Sequence, residues 1–384
     1  MSGLLAYRSQ FNSLNNCHHL ISNSLGAMPN QTAEMLSQFA RMWADRSVRA
    51  WEEKWWMLAR EVGDKIGRLI NAPSNSVTMQ PNVTSAEAVI LSCFDFQAKR
   101  NKVVMVDAEF PSLLYLYKSW LGPAGRLEIV ECGAGPILPL EKLLDAIDEK
   151  TLLVSISSVF FRSSYLIDAA AVIEKAHQVG AKVVLDIYQA FGVVPLDVKK
   201  LEVDFAAGGC LKWICGGPAA CFLYVRPDLS SKLKPRITGW LAHVEPFAFE
   251  AQQMNYTDGA YRFLNGTPSV LSFYVCQPGL DIVSEIGVER IRKRSLEMTT
   301  RMIDNAAGKD WSVFVPQEEE LRGGTVALNI PHAQRISKIL LERDFLIDYR
   351  PGVGIRVSPH FYNTDQEIDD IFDEIEKIKA EENW

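Results

Sequence analysis

With 384 residues, 48% of them hydrophobic, the chain is long enough to bury a large core and to form more than one domain. Forty basic and forty-seven acidic side chains leave a formal charge of −7 with no long basic run, which argues against nucleic acid or an anionic membrane surface as partner. No run of about 18 apolar residues and no charged-then-apolar leader appears, so a membrane span or signal segment is not expected.

Seven cysteines, an odd number without paired spacing, fit a reducing cytoplasm rather than a disulfide framework. The six histidines have no ligand spacing with cysteines or acids, and no metal is expected.

In chain order, Asn23-Ser24-Leu25-Gly26 and Pro29 precede a helical pattern beginning near Thr32. Leu36, Phe39, Ala40 and Trp43 fall on one face, and Trp51, Trp55, Leu58 and Val62 continue the spacing. These side chains read as packing, in the core or between subunits. Thr84 followed three residues later by Glu87 is a capping-box pattern, which predicts Thr84 as the N-cap ahead of an apolar helix, Ala88–Phe94. A helix start with free N–H groups and a hydroxyl is a phosphate site in waiting.

Short apolar runs then alternate with helical segments. Val103–Val106 reads as a buried strand followed by Phe110-Pro111-Ser112. Leu127–Val130, a helix at Leu138–Ile147 and a strand at Leu152–Ser157 come next, and then an amphipathic helix, Ala169–Gly180. Val183-Val184-Leu185 ends in Asp186. Val203–Ala207 leads to Lys212, and Gly216-Gly217-Pro218 turns the chain into Cys221–Val225.

Such an order from about residue 77 to 225 predicts an α/β fold with a mostly parallel sheet covered on both faces. Ligands of such sheets gather at strand C-termini, and Thr84, Phe110, Ser157, Asp186 and Lys212 each follow or end an apolar run. A carboxylate and a lysine at neighbouring strand ends suit a cofactor with a cationic ring and an aldehyde, namely pyridoxal phosphate. Asp186 would hold the ring nitrogen protonated, and Lys212 would carry the cofactor covalently.

Past Val225 the informative pieces are Thr238-Gly239-Trp240 and Arg262-Phe263-Leu264-Asn265-Gly266-Thr267-Pro268. A long helix, Val288–Ala307, then leads to strands at Ser312–Val315, Val326–Ile330 and Gly354–Val357, with helices near Gln334–Arg343 and Asp365–Ala380. The expected division is an N-terminal arm over residues 1–50, a large domain over 51–285 and a small C-terminal α/β domain over 286–384.

From Ile21-Ser22-Asn23-Ser24-Leu25-Gly26 to Gly354-Ile355-Arg356-Val357-Ser358-Pro359, the chain resembles fold-type I pyridoxal-phosphate enzymes of the class V aminotransferase superfamily, and within them the kynureninase branch. The resemblance implies a large domain with a seven-stranded type of sheet. It implies phosphate contacts from Thr84 and the Val83 backbone, and a cofactor ring stacked on Phe110. Ser157, Gln189 and Trp240 become cofactor contacts. Thr267 becomes a contact that reaches in from the other subunit of a homodimer, with the active site at the subunit interface. Arg356 becomes the residue that grips the α-carboxylate of an amino-acid substrate.

Three positions depart from the kynureninase pattern. Gln189 stands where the branch has His, Leu211 replaces the Tyr before the lysine, and Leu113 replaces the Asp of its Phe-Pro-Ser-Asp motif. Arg162 stands where an aromatic is common, and either a substrate acid or a surface carboxylate would suit it.

The resemblance implies hydrolytic Cβ–Cγ cleavage of a kynurenine-type substrate. Transamination and a cysteine-sulfinate or selenocysteine type of β-elimination are the alternatives, and a non-catalytic dimeric binding protein is a remote one. A cysteine desulfurase is disfavoured, because no cysteine follows Cys276 to act as its loop nucleophile.

Overall fold

A computed structural model describes residues 2–122 and 126–384. Its centre is a seven-stranded sheet of β1 (Val77–Gln80), β2 (Lys102–Val106), β3 (Arg126–Val130), β4 (Thr151–Ser157), β5 (Lys182–Asp186), β6 (Phe205–Gly209) and β7 (Cys221–Val225), in the spatial order β1-β7-β6-β5-β4-β2-β3. The pairs β3/β2, β2/β4, β4/β5 and β5/β6 are parallel, while β7 runs antiparallel to both β6 and β1. Successive strands progress outward from β4 through β5 to β6, whereas β2 and β3 lie on the other side of β4. The chain order therefore reverses between β4 and β2, where a crevice opens at the strand C-termini.

Burial on both faces explains the continuous apolar runs. Val183 and Leu185 of β5 enter one core and Val184 enters the other, as the strand period of two requires. Each such side chain contributes at most about 1.5–3 kcal/mol when fully buried. Helices Val83–Leu91 and Pro111–Leu121 cover the Val184 face, while Trp56–Leu69, Ala169–Gln178 and Val270–Ile286 cover the other.

Gly287, at φ 84°, separates Val270–Ile286 from the long helix Val288–Ala307, which packs on a four-stranded antiparallel sheet. That sheet contains β8 (Ser312–Val313), β9 (Val326–Asn329), β10 (Asp348–Arg350) and β11 (Gly354–Val357) in the order β10-β11-β9-β8. The N-terminal arm belongs to both bodies. Phe11, Leu14 and Ala27 enter the large core, Leu20 enters the small one, and His18–His19 pairs in parallel with Phe345–Leu346.

Most expected elements are present with shifted ends. The helix expected at Ala88–Phe94 instead spans Val83–Leu91, and its N-cap is Asn82, whose side chain accepts the Ser85 N–H at 2.8 Å. Thr84 is therefore inside the first turn, and Glu87 faces inward to accept the Ser155 hydroxyl at 3.1 Å. The capping-box pattern misleads because burial against β4 outbids a reach back to the cap. Trp51–Trp55 forms a π-helical turn ahead of Trp56–Leu69.

Candidate active site

A cavity of about 250 Å³ opens at the reversal point, and Asn82, Val83, Thr84, Phe110, Ser157, Asp186, Gln189 and Lys212 are among the residues that line it. The sheet register explains much of this. Ser157 and Asp186 are paired Cα partners at the ends of β4 and β5, and Asp186 pairs with Ala207 of β6, whose strand runs on toward Lys212.

Asp186 is buried and accepts the Tyr188 N–H at 2.7 Å. Burial pushes its carboxyl up to about 6, opposed by that N–H and by the positive charge of Lys212. Burial lowers the Lys212 amine to about 8; Asp186 opposes this and Arg356 adds to it. Among the described residues, Lys212 Nζ makes no hydrogen bond and no ion pair within 4 Å; it lies 4.4 Å from the centroid of the Tyr188 ring.

The loop that carries Lys212 is held from two sides. A Cβ on Gly26 would fall 2.2 Å from the Lys212 carbonyl oxygen, and one on Gly279 would fall 1.9 Å from that of Ile214. Only glycine lets the arm and the helix approach so closely, and Gly26 donates its N–H to Leu211 O at 3.0 Å. Within the loop Cys215 and Ala219 have φ of 59° and 65°, a left-handed strain of about 1–3 kcal/mol each that the surrounding packing must hold.

The start of helix Val83–Leu91 faces the cavity, and its early N–H groups have no intrahelical acceptor. Phe110 stands at the mouth, 46% exposed, with its ring edge-to-face on Phe161 at 5.3 Å. Gln189 donates to the Asn23 carbonyl at 3.2 Å and so ties the arm to the cavity wall. The Ser157 hydroxyl is not free: it donates to Glu109, which also accepts the Ser157 N–H at 2.8 Å. Burial pushes Glu109 up to about 8 and Glu87 well above the usual carboxylate range, with Asp186 adding to both.

Three expected residues are not among the lining of this cavity. Trp240 packs against Trp56 at 5.4 Å and Phe247 at 5.7 Å. Thr267 is exposed on the rim of a separate cavity with Gln80, Ala219 and Phe273. Arg356, expected to grip a substrate α-carboxylate, is 2% exposed and clamped: its Nε donates to Asp348 at 2.7 Å, Nη2 donates to the other oxygen of Asp348, and Nη1 donates to the Phe161 carbonyl. One N–H remains on each terminal nitrogen, the pair that a carboxylate takes in bidentate fashion. Trp51 and Trp55 pack with Trp56 and Phe39, away from the cavity lining.

Reading the sequence missed Asn82, Glu109, Tyr188 and Asp348. Asn82 was accessible from N-cap preference alone. Glu109 and Asp348 gave no local signal, since their partners lie on other strands.

A helix start with N–H groups that lack intrahelical acceptors, a buried carboxylate and an amine of lowered proton affinity thus line one cavity. This donor set fits a ligand with a phosphate, a cationic ring and an aldehyde. The fold and this cavity together define a pyridoxal-phosphate enzyme of fold type I.

Comparison with known proteins agrees. Residues 25–371 match the family model described as Aminotransferase class-V. Kynureninase of Bacillus mycoides (strain KBAB4) is 27% identical, the match covering 98% of this chain and 92% of that protein. An uncharacterized aminotransferase, YcbU, of Bacillus subtilis (strain 168) is 30% identical, with 81% of each chain covered. Among solved structures, cysteine desulfurase of Thermococcus onnurineus NA1 superposes with a TM-score of 0.86 at 18% identity over 97% of both chains. Cysteine desulfurase CsdA of Escherichia coli gives 0.85 at 18% identity over 98% of both.

The chain belongs to the class V aminotransferase family. It is a pyridoxal-phosphate-dependent enzyme.

Proposed function

We propose that this enzyme hydrolyses the Cβ–Cγ bond of a kynurenine-type amino acid, releasing alanine and an aromatic acid. The likeness to kynureninases along 98% of the chain carries this reading. A cavity walled by Phe110, Leu113, Phe161, Tyr188 and Leu211 supports it, since such walls suit an aromatic side chain.

Pyridoxal phosphate, when bound, supplies an electron sink for negative charge at the substrate Cα. In this reading Val83 and Thr84 hold its phosphate, Asp186 its ring nitrogen, Phe110 its ring face and Lys212 its aldehyde carbon. Ser157 and Gln189 border it. The amine of Lys212, at about 8, is neutral in roughly one molecule in ten at pH 7, so its freed Nζ can take the proton from the substrate Cα. The two remaining N–H groups of Arg356 bind the α-carboxylate, with Asp348 fixing the fork from behind.

The same reading includes a homodimer in which the exposed Thr267, together with Trp240, serves the active site of a second copy. Residues 51–285 then form the cofactor domain and 286–384 the small domain, with the arm, 1–50, joining them. Seven free cysteines support a cytoplasmic location.

The test is to mix cofactor-loaded protein with L-kynurenine or 3-hydroxykynurenine and quantify alanine and the anthranilate-type acid. Equal amounts of both are expected. Transamination, the second reading, is favoured by the likeness to YcbU. It predicts loss of the lysine-linked absorption without alanine, restored by a keto acid. No spectral response to either compound would reject kynurenines and turn the search to sulfinate and selenium amino acids.

A further inference from the structure

The amine of Lys212 has an unusual neighbour. A lysine in a carboxylate-bearing cavity normally finds an oxygen, yet among the described residues no acceptor lies within hydrogen-bond reach of its Nζ. What faces it is the ring of Tyr188, 4.4 Å from nitrogen to centroid, a cation–π distance.

The ring is itself held by several contacts. The Tyr188 N–H is tied to Asp186 at 2.7 Å, and its hydroxyl accepts the Cys221 thiol at 3.7 Å. A Cβ on Gly209 would lie 2.8 Å from both Cζ and Oη of Tyr188 and 2.6 Å from Cys221 Sγ. Gly209 does not have a positive φ, so space for the ring, not backbone freedom, is what requires a glycine there. The end of β6, the start of β7 and the turn after β5 together form a slot for one aromatic ring beside the lysine.

We propose that Tyr188 is a positioning residue for Lys212, its ring face holding the free ε-ammonium clear of Asp186. The assignment rests on Lys212 being the cofactor lysine. Its consequence is physical. A close ion pair between Lys212 and Asp186 would occupy both groups and have to be broken before either could meet the cofactor. A π face attracts the ammonium more weakly and leaves the carboxylate free for a cationic ring. Leu211, beside the lysine in sequence, carries no polar group that could serve instead.

The charged and titratable groups acting on Lys212 are Asp186 at the end of β5, Cys221 of β7, and Arg356 and Asp348 of the small sheet. Substitution at Tyr188 leaves Asp186, Arg356 and Asp348 in place and frees only the Cys221 thiol, a loss that Tyr188→Phe shares with the other variants, so comparison with the Phe variant isolates the ring's contribution. Removing it destabilises the ammonium and lowers the pH at which the amine loses its proton by about 0.5 to 1 unit.

The experiment strips the full-length protein of pyridoxal phosphate, adds it back, and follows the lysine-linked visible absorption against pH. In this step the amine nitrogen bonds to the aldehyde carbon and water leaves. Borohydride reduction and peptide mapping then locate the label. Tyr188→Phe keeps the ring and should leave the pH midpoint where it is in the parent protein. Tyr188→Leu should lower that midpoint, so that the rate well below it rises about three- to tenfold relative to its own high-pH plateau. Tyr188→Met gives the same reading if the leucine variant does not fold.

A label on Lys212 with superimposable midpoints in parent and Leu or Met variants would overturn the role of Tyr188. So would a Phe variant that shifts as far as they do, because the hydroxyl would then be responsible. A residue with only a structural role would change the plateau without moving the midpoint. A label at another lysine, or an unchanged signal in Lys212→Ala, would instead overturn the assignment of Lys212 itself.

Discussion

Glu109 accepts both the N–H and the hydroxyl of Ser157, while Asp186 is the Cα partner of Ser157 on the next strand. Two buried carboxyls therefore bracket one serine at the strand ends, and Asp186 adds to the burial that pushes Glu109 up to about 8.

This raised carboxyl makes a prediction about pH and stability. In the unfolded chain Glu109 ionises near the ordinary value, about 4.3, whereas folded it keeps its proton to about 8. The folded state binds more protons in that window, so the contribution is fully present below about pH 4.3 and is lost as pH rises toward 8. Glu109→Gln cannot ionise. Its stability relative to the parent should rise by on the order of 3–5 kcal/mol between pH 4.5 and 8, measured by urea unfolding across pH. A difference that stays flat with pH would show that Glu109 titrates normally.

The clamp on Arg356 is open to a direct test. Asp348 takes two of its N–H groups, and Asp348→Ala would leave a buried guanidinium with only the Phe161 carbonyl among its three bonds. Removing one partner of a buried pair costs about 3–5 kcal/mol, which denaturant unfolding of the full-length chain would detect. A loss below about 1 kcal/mol, the range of exposed pairs, would mean that Arg356 readily finds water or another partner. Arg350 also meets Asp348, at 3.0 Å, but is exposed enough that little is expected of it.

Capping and the phosphate contact proposed for Thr84 fall on different residues at the start of helix Val83–Leu91. Asn82→Ala removes the side chain that accepts the Ser85 N–H, a loss of about 1 kcal/mol in stability measured without added cofactor. Thr84→Ala replaces a first-turn residue by a better helix former, so stability should change little while cofactor retention on dialysis weakens. The opposite pattern, a stability loss at Thr84 and none at Asn82, would restore Thr84 as the cap.

Much of the fold was legible because buried parallel strands have a local signature. Val183-Val184-Leu185 before Asp186 and Val103–Val106 before Phe110 are apolar runs that can only be two-sided strands or core helices, and their lengths decide between the two. The positions of Thr84, Phe110, Ser157, Asp186 and Lys212 followed from the rule that ligands lie at strand C-termini, and all five line the cavity. The strand β1 and the reversed direction of β7 carried no comparable signal, since pairing partners are chosen by distant residues.

The chain by itself determined the α/β alternation, the apolar strands and the set of reactive side chains delivered at their tips, because these depend on short-range periodicity. Only the tertiary structure decided what each side chain meets: Arg356 in the grip of Asp348, Ser157 held by Glu109, Glu87 turned inward, and Lys212 facing a ring instead of a carboxylate. Those pairings join residues up to 68 positions apart, in the Glu87–Ser155 contact, and depend on burial and sheet register. Neither burial nor register is a property of a local run of residues.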